Sequence, residues 1–355
     1  MDKLDLIVNR PLVVGDVHLC EYSSIIRRKE LRLSHIVNTL RWLIDLAHDQ
    51  HCDSIVFLGD FFDKPELNAA ELTALQEVKW PTDLNYICLV GNHEMGAADL
   101  SCSSTHILNQ IPNFHVIDKP TAIKNEKIDY LLLPYIVDDS KRKLDLYCKE
   151  LRLDKLIVFS HNDIKGMQLG KFISKQGFEI SDIENHCICY LNGHLHNRSS
   201  VPSKNIIFNV GNILGQNFSE DAFKYDHCAH MLCIDEWVSG NQLSAIAYTN
   251  PYAFNFYKID LTIEKDFRKL YILKPNAILS VRCFEQDVSY ITDQLESDSN
   301  VIEYRLILVH DSADTAEDTI TTLTKVDHIE KFKEYIINEL GSSEYVLKEL
   351  QEIYL

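Results

Sequence analysis

The sequence predicts an α/β sandwich, and three observations predict it. Short apolar strands alternate with helical stretches through the first two-thirds of the chain. Three of those strands, Leu12-Val13-Val14, Ile55-Val56-Phe57-Leu58 and Ile87-Cys88-Leu89-Val90, run without a polar break into a Gly and then a polar side chain. That is how a parallel strand buried on both faces delivers side chains to the carboxyl edge of an open sheet. The balance of 46% apolar and 25% charged residues is that of a soluble globular protein. At 355 residues the chain exceeds one ordinary core, so a large domain with a smaller appendage is expected.

The elements follow in order. Residues 31–49 place Ile36, Leu40, Leu43, Ile44 and Ala47 at helical spacing, and 52–58 return to strand. Residues 67–78 read as a helix stopped by Pro81, and 101–111 as another stopped by Pro112. Later strands are expected at 128–134, 156–159, 187–191, 206–210, 230–234 and 245–248. The main domain is expected to span 1–255. Beyond it, 277–284, 290–295 and 301–309 read as strand, helix, strand, a small α/β domain over 256–311. The remainder, 312–355, reads as an Asp-, Ser- and Thr-rich linker (311–322) and a helical tail. Val326, Ile329, Phe332, Ile336 and Leu340 form one apolar stripe, Gly341 breaks it, and Leu347, Leu350 and Tyr354 resume it. Such a stripe either folds back onto its own domain or docks a partner.

Composition narrows the function classes. No apolar run approaches the roughly 20 residues of a transmembrane helix, and the first residues lack a signal-peptide layout. Ten scattered cysteines without a C-x-x-C pair are expected to be reduced thiols in a cytosolic compartment. His227, Cys228, His230 and Cys233 lie close together, but their spacing does not suit a structural zinc site. A net charge of −18, with 53 acids against 35 bases, argues against a stand-alone nucleic-acid binder, because phosphate contacts come from Lys and Arg. Two bound cations would restore positive potential locally.

The chemistry is carried by five short patches: GDVH at 15–18, GDFFD at 59–63, GNHE at 91–94, SH at 160–161 and GHLH at 193–196. In the first, the two-residue spacing sends Asp16 and His18 to one side of a strand end. Each patch alone is an ordinary turn or loop. Five in succession, carrying Asp16, His18, Asp60, Asn92, His161, His194 and His196, form a set of metal-ligand residues able to hold two divalent cations. In such a site a group must stabilise the leaving alkoxide. His93 is placed for that role, and Asp63 is placed to orient His93 or a neighbouring ligand.

The order D-x-H, G-D-x-x-D, G-N-H-[ED], H, G-H-x-H over residues 15–196 resembles that of the calcineurin-like metallophosphoesterases. The resemblance implies a two-sheet sandwich flanked by helices, with Asp60 bridging two metals. Asp16, His18 and His196 would complete one site, and Asn92, His161 and His194 the other. Mixed imidazole and carboxylate ligation suits manganese, iron or zinc. The resemblance favours manganese, with magnesium a further possibility.

Within that superfamily, protein phosphatases place an Arg in the second motif and another before GNHE; this chain has Lys64-Pro65 and Val90 there. Glu94 matches the phosphatase spelling, where nucleases more often have Asp. Pro65, the segment 208–220 and the small domain after residue 255 resemble the SbcD-type nuclease subunits of DNA-end-processing complexes and their phage counterparts. That branch implies a DNA exonuclease or endonuclease of repair and recombination, with 256–311 as a DNA-capping domain. It implies a tail docked on an SbcC-type ABC ATPase, a homodimer formed through 31–49 and 101–111, and a cytoplasmic location (the host's, if phage-encoded). The alternative is an esterase acting on small phosphodiesters or phosphoproteins.

Overall fold

The computed structural model describes residues 2–23, 25–26, 29–169, 172–234, 244–263, 265–309 and 321–324. The first part of the chain forms β1 (Asp2–Lys3), β2 (Pro11–Val14), α1 (Lys29–Asp49), β3 (Ser54–Phe57), α2 (Ala69–Glu77), β4 (Asn85–Leu89), β5 (Phe114–Ile117), β6 (Thr121–Lys124) and β7 (Asp129–Leu133). It continues with β8 (Leu156–Ser160), β9 (Gln168–Leu169), β10 (Phe172–Ile173), α3 (Ile180–His186), β11 (Cys189–Asn192), β12 (Ser199–Ser200), β13 (Ile206–Asn209), β14 (Cys228–Leu232) and β15 (Ala245–Thr249). The last described stretch holds β16 (Asn255–Asp260), β17 (Ala277–Phe284), α4 (Val288–Ser297), β18 (Val301–Val309) and β19 (Thr321–Thr324).

Two compact units emerge: Met1–Glu220 with Lys224–Ala253, and Asp221–Phe223 with the chain from Phe254 onward. The first unit is a sandwich of two mixed sheets, ordered β1-β6-β7-β8-β11-β13-β12 and β15-β14-β2-β3-β4-β5. Within them β2 to β5 run parallel, as do β7, β8, β11 and β13. Tyr130 and Leu132 of β7 join Val13, Val56 and Ile87 of the other sheet in one core. The alternate residues Leu131 and Leu133 join Leu144 and Ile183 in a second core on the outer face. Both faces of these strands are therefore buried, and their sequences run apolar without alternation.

Helix α1 buries Ile36, Leu40, Leu43 and Ala47 at 1% exposure or less, one face of a helical repeat, and it contacts β3. Helix α2 opens with a reciprocal cap: Asn68 Oδ1 accepts from Glu71 N, and Glu71 Oε2 accepts from Asn68 N, each at 2.9 Å. The helix expected at 101–111 is instead a 3₁₀ segment, Ser104–Gln110. Its ends are fixed from outside: Ser103 caps it, Ser104 Oγ donates to Lys64 O at 2.9 Å, and Ser104 N donates to Glu94 O. Bonds to other loops replace a regular helical ladder there.

The second unit is a four-stranded sheet in the order β16-β17-β18-β19, parallel except for β19. Ile291 and Leu295 of α4 pack with Leu279, Val281 and Leu306. Thr321 and Thr322, expected as the end of a linker, lie in β19. The apolar tail stripe, 326–355, falls outside the described residues. Among those described, no helix is long and apolar enough to cross a membrane. The cysteines are free and all but Cys102 are buried. His227, Cys228, His230 and Cys233 are not gathered as a metal-holding group among the described residues.

His230 of β14 is 4% exposed and packs edge-on against Phe208. Burial and then the charge of Arg198 lower its pKa to about 4, against the weaker upward pull of a backbone hydrogen bond at Val210. An unfolded histidine titrates near 6.5, so between these values the unfolded chain binds the proton and the folded chain does not. Stability contributed above pH ~6.5 is lost as pH falls towards 4, by roughly 2 kcal/mol between pH 7 and 5. Urea unfolding at both pH values, in chelator, should show this slope in the native chain and a shallower one in His230→Gln. Equal slopes would remove His230 as its source.

Candidate metal centre

Each patch follows the carboxyl end of a parallel strand, and the patches come from both sheets. Asp16 and His18 follow β2, Asp60 follows β3, and Asn92 follows β4; His161 follows β8, and His194 and His196 follow β11. The sheets meet here backbone to backbone. A Cβ on Gly15 would overlap the carbonyl of Gly211, and one on Gly193 would sit 2.6 Å from Leu58 O. His18, Asp60 and His194 adopt left-handed backbone, with φ of 49°, 46° and 71°. Such conformations cost about 1 kcal/mol or more per residue and concentrate at functional sites.

The structure brings all seven predicted ligand residues together. Asp60 Oδ2 lies 3.1 Å from His161 Nε2 and 4.0 Å from His18 Nε2. Asp60 Oδ1 accepts from His93 N at 3.0 Å. Asn92 Oδ1 is 3.1 Å from His161 Nε2 and 2.8 Å from His194 Nδ1. Asp16 Oδ1 accepts from His194 N at 3.0 Å. His18 Nε2 and His196 Nε2 face each other at 3.1 Å. Three groups could each hold an ion, with donor atoms within 4.8 Å of one another: Asp16, His18 and His196; Asp60, His161 and His194; and His18, Asp60 and His93.

These residues fit divalent cations. Asp16 Oδ2 is buried and accepts no hydrogen bond from the described residues. Asp16 and His161 are fully buried, and His18 and Asp60 are 1% exposed. Acids and imidazoles buried together without a cation leave their charges to be balanced by protons. Burial lowers the pKa of His161, but Asp60 and Asp16 raise it to about 9. His196 shows the same balance, with Glu220 and Asp16 lifting it to about 9 against burial. Burial pushes Asp60 up, yet His161, His18 and His93 together hold it below the usual carboxylate range. A divalent ion takes over the charge balance that these protons supply.

His93 is the exposed member, with 42% of its side chain open. Its Nδ1 lies 3.2 Å from Asp63 O and 3.5 Å from Asp63 Oδ1. The same Asp63 oxygen is 2.8 Å from His18 Nδ1. Glu94 turns inward. It is fully buried and accepts from Gly91 N at 2.6 Å and from Phe62 N at 2.9 Å, tying two ligand loops together. Burial and then Asp60 raise its pKa to about 8. Lys64, standing where phosphatases have Arg, pairs with the buried Glu71 at 3.1 Å.

Two acids absent from the sequence-predicted set also touch the centre: Asp163, 3.2 Å from His194 Nε2, and Glu220, 3.0 Å from His196 Nδ1. Asp163 stands two residues after His161, the one local signal that could have found it. Glu220 ends the segment singled out at 208–220, where no role was assigned to it.

Residues 10–213 match the model of the calcineurin-like phosphoesterases, and the chain belongs to that family. It is similar to the DNA double-strand break repair protein Mre11 of Sulfolobus acidocaldarius, 27% identical over 198 residues, covering 53% of this chain and 49% of that one. The Mre11 of Sulfurisphaera tokodaii is 24% identical over 193 residues, with the same coverages. The chain thus spans about half the length of the curated relatives it matches. Among solved structures, a protein of Thermus thermophilus aligns at 11% identity and a TM-score of 0.40, over 68% of this chain and 99% of its own.

Removing the Glu94 carboxylate should leave two buried N–H groups without acceptors. Glu94→Ala is expected to cost at least about 2 kcal/mol, read from urea unfolding in chelator. A loss below about 0.5 kcal/mol would mean that the two loops hold their shape without it.

Proposed function

We propose that this chain is the nuclease subunit of a DNA-end-processing complex, hydrolysing phosphodiester bonds with two divalent metal ions. Manganese is the proposed metal, with magnesium, iron or zinc as alternatives. The convergence of seven ligand-type side chains from two sheets at one edge carries this reading. Asp60 would be shared; Asp16, His18 and His196 would hold one ion, and Asn92, His161 and His194 the other. Such a pair supplies Lewis acidity to the phosphoryl oxygens and makes an attacking water acidic at neutral pH.

The chain's own groups would do the rest. With its Nδ1 engaged by Asp63, His93 keeps Nε2 for the substrate, and in protonated form it can give a proton to the leaving alkoxide. Two observations support a diester over a phosphomonoester. Lys64 is already paired with Glu71, and Glu94, the residue spelled as in phosphatases, bonds to backbone and does not face the substrate side. The likeness to double-strand break repair proteins points to DNA as the diester.

The excess of acids fits a subunit whose partner supplies most of the phosphate-binding surface. We place an SbcC-type ABC ATPase in that role, docked on the apolar stripe at 326–355, with 256–311 capping the DNA. Residues 31–49 and 101–111 are the proposed homodimer elements, and the cytoplasm (the host's, if phage-encoded) is the proposed location.

The test is hydrolysis of end-labelled duplex and single-stranded DNA with manganese, magnesium or chelator, beside para-nitrophenyl phosphate. Manganese-dependent DNA cleavage that stops in chelator is expected. Ester turnover without DNA cleavage, even with an ATPase subunit added, would overturn the nuclease reading. His93→Asn should lower turnover by roughly 10²–10⁴-fold while leaving the metal isotherm in place. Deleting 326–355 should spare a small diester substrate and abolish ATP-dependent processing of long duplexes. Full ATP stimulation after the deletion would refute the docking role.

A further inference from the structure

A metal-ligating imidazole offers one nitrogen to the ion, and its second nitrogen decides how firmly the ring is aimed. All four imidazoles of the proposed ligand set have that second nitrogen engaged. His18 Nδ1 lies against Asp63 at 2.8 Å, and His161 Nδ1 against Leu58 O at 2.6 Å. His194 Nε2 meets Asp163 Oδ1 at 3.2 Å, and His196 Nδ1 meets Glu220 Oε1 at 3.0 Å. These bonds fix opposite ring settings. His194 is left to present Nδ1 to the centre, and His196 to present Nε2.

The last two acids are themselves held on their far sides. Arg142 donates to Asp163 Oδ2 at 3.0 Å. That guanidinium is 5% exposed, donates through Nε to Ile136 O at 2.8 Å, and lies 5.1 Å from the centre of the Tyr135 ring. Glu220 is 1% exposed, with His227 Nε2 4.0 Å from Oε2 and three amide donors around its carboxylate. Its Oε2 accepts from Asn212 Nδ2 at 3.0 Å and Gln216 N at 2.8 Å, while Asn217 Nδ2 reaches Oε1 at 3.3 Å. A carboxylate fixed on both oxygens cannot swing away from its imidazole, so each ring is locked about its Cβ–Cγ bond.

We propose that Glu220 and Asp163 are positioning residues that act on different ions of the pair. This rests on the dinuclear reading above. Glu220 aims His196, which groups with Asp16 and His18; Asp163 aims His194, which groups with Asp60 and His161. Each hydrogen-bonded carboxylate also makes its imidazole a stronger donor to the metal. The consequence is separable control of two binding events by two acids, neither of which is itself a ligand.

The competing explanation is that both acids serve the fold alone, Asp163 as a salt-bridge partner and Glu220 as a loop clasp. Calorimetric titration of the metal-depleted full chain with manganese separates the two. The native chain is expected to take up two ions. Glu220→Gln should weaken one binding event by roughly 10–100-fold and Asp163→Asn the other, the typical effect of losing such a partner. The double variant should weaken both. In electron paramagnetic resonance with two manganese ions added per chain, each single variant should show more lone-ion signal where the native chain shows a spin-coupled pair.

Variants that match the native chain in both events overturn the proposal. So does a pair that each weaken both events alike, in step with a fall in urea midpoint, which is the signature of a structural role. A native chain that binds no manganese sinks the dinuclear reading itself, and is recognised before any substitution is made.

Discussion

The centre depends on two pairs of strand-end loops, each pair drawn from both sheets, touching without side chains between them. Gly15 meets Gly211, and Gly193 meets the carbonyl of Leu58. A methyl group at either place would push the sheets apart at the edge where Asp16, His18, Asp60 and Asn92 meet His161, His194 and His196. The apolar core between the sheets, built from residues such as Val13, Val56, Ile87, Tyr130 and Leu191, holds that edge closed. It also supports the left-handed backbone at His18, Asp60 and His194, which nothing local would favour. Packing energy gathered in the sandwich is thus expressed as strain at the three positions where side-chain direction matters most.

Closing the edge has an electrostatic consequence. Asp60 is drawn out of water beside three imidazoles, and Asp16 keeps one oxygen with no hydrogen-bond donor among the described residues. An apolar site of this shape would be quiet, whereas this one demands positive charge. Glu94 is a further buried acid, but burial and Asp60 raise its pKa to about 8 and its oxygens are committed to Gly91 N and Phe62 N. It therefore fastens the loops of the second and third patches to each other.

The parts of this arrangement visible in the sequence are those encoded within a few residues. An unbroken apolar run such as Ile55–Leu58 followed by Gly59 and Asp60 states strand, turn and a polar strand-end side chain in one segment. Helix α1 was legible from its buried repeat of Ile36, Leu40, Leu43 and Ala47, and α4 from its short apolar spacing. What escaped is what depends on distant partners. The start of the 3₁₀ segment Ser104–Gln110 is held by acceptors on Lys64 and Glu94 from across the fold, and no local pattern announces them. Strands β5 and β6 are only four residues each, and Thr321–Thr324 becomes a strand by pairing with β18. Asp163 and Glu220 reach imidazoles 31 and 24 residues away, a distance over which spacing says nothing.

Substrate charge is the remaining step. A phosphomonoester dianion asks for cations beyond the metal pair, whereas a diester carries one negative charge. Three basic residues bordering the ligand loops are already committed. Lys64 is paired with Glu71, and Arg142 with Asp163. Arg32, 2% exposed, donates to the carbonyls of His18 and Cys20 and to Gln216 Oε1. Each of the three holds a loop, and freeing Arg142 or Arg32 would leave a carboxylate oxygen or a carbonyl without its donor. Basic residues that shape the site are thereby withheld from the substrate. On the proposed reading this fits a long, singly charged repeat such as a nucleic-acid backbone, gripped elsewhere by a partner. It fits poorly with a doubly charged phosphoryl group that must be recognised at the metals alone.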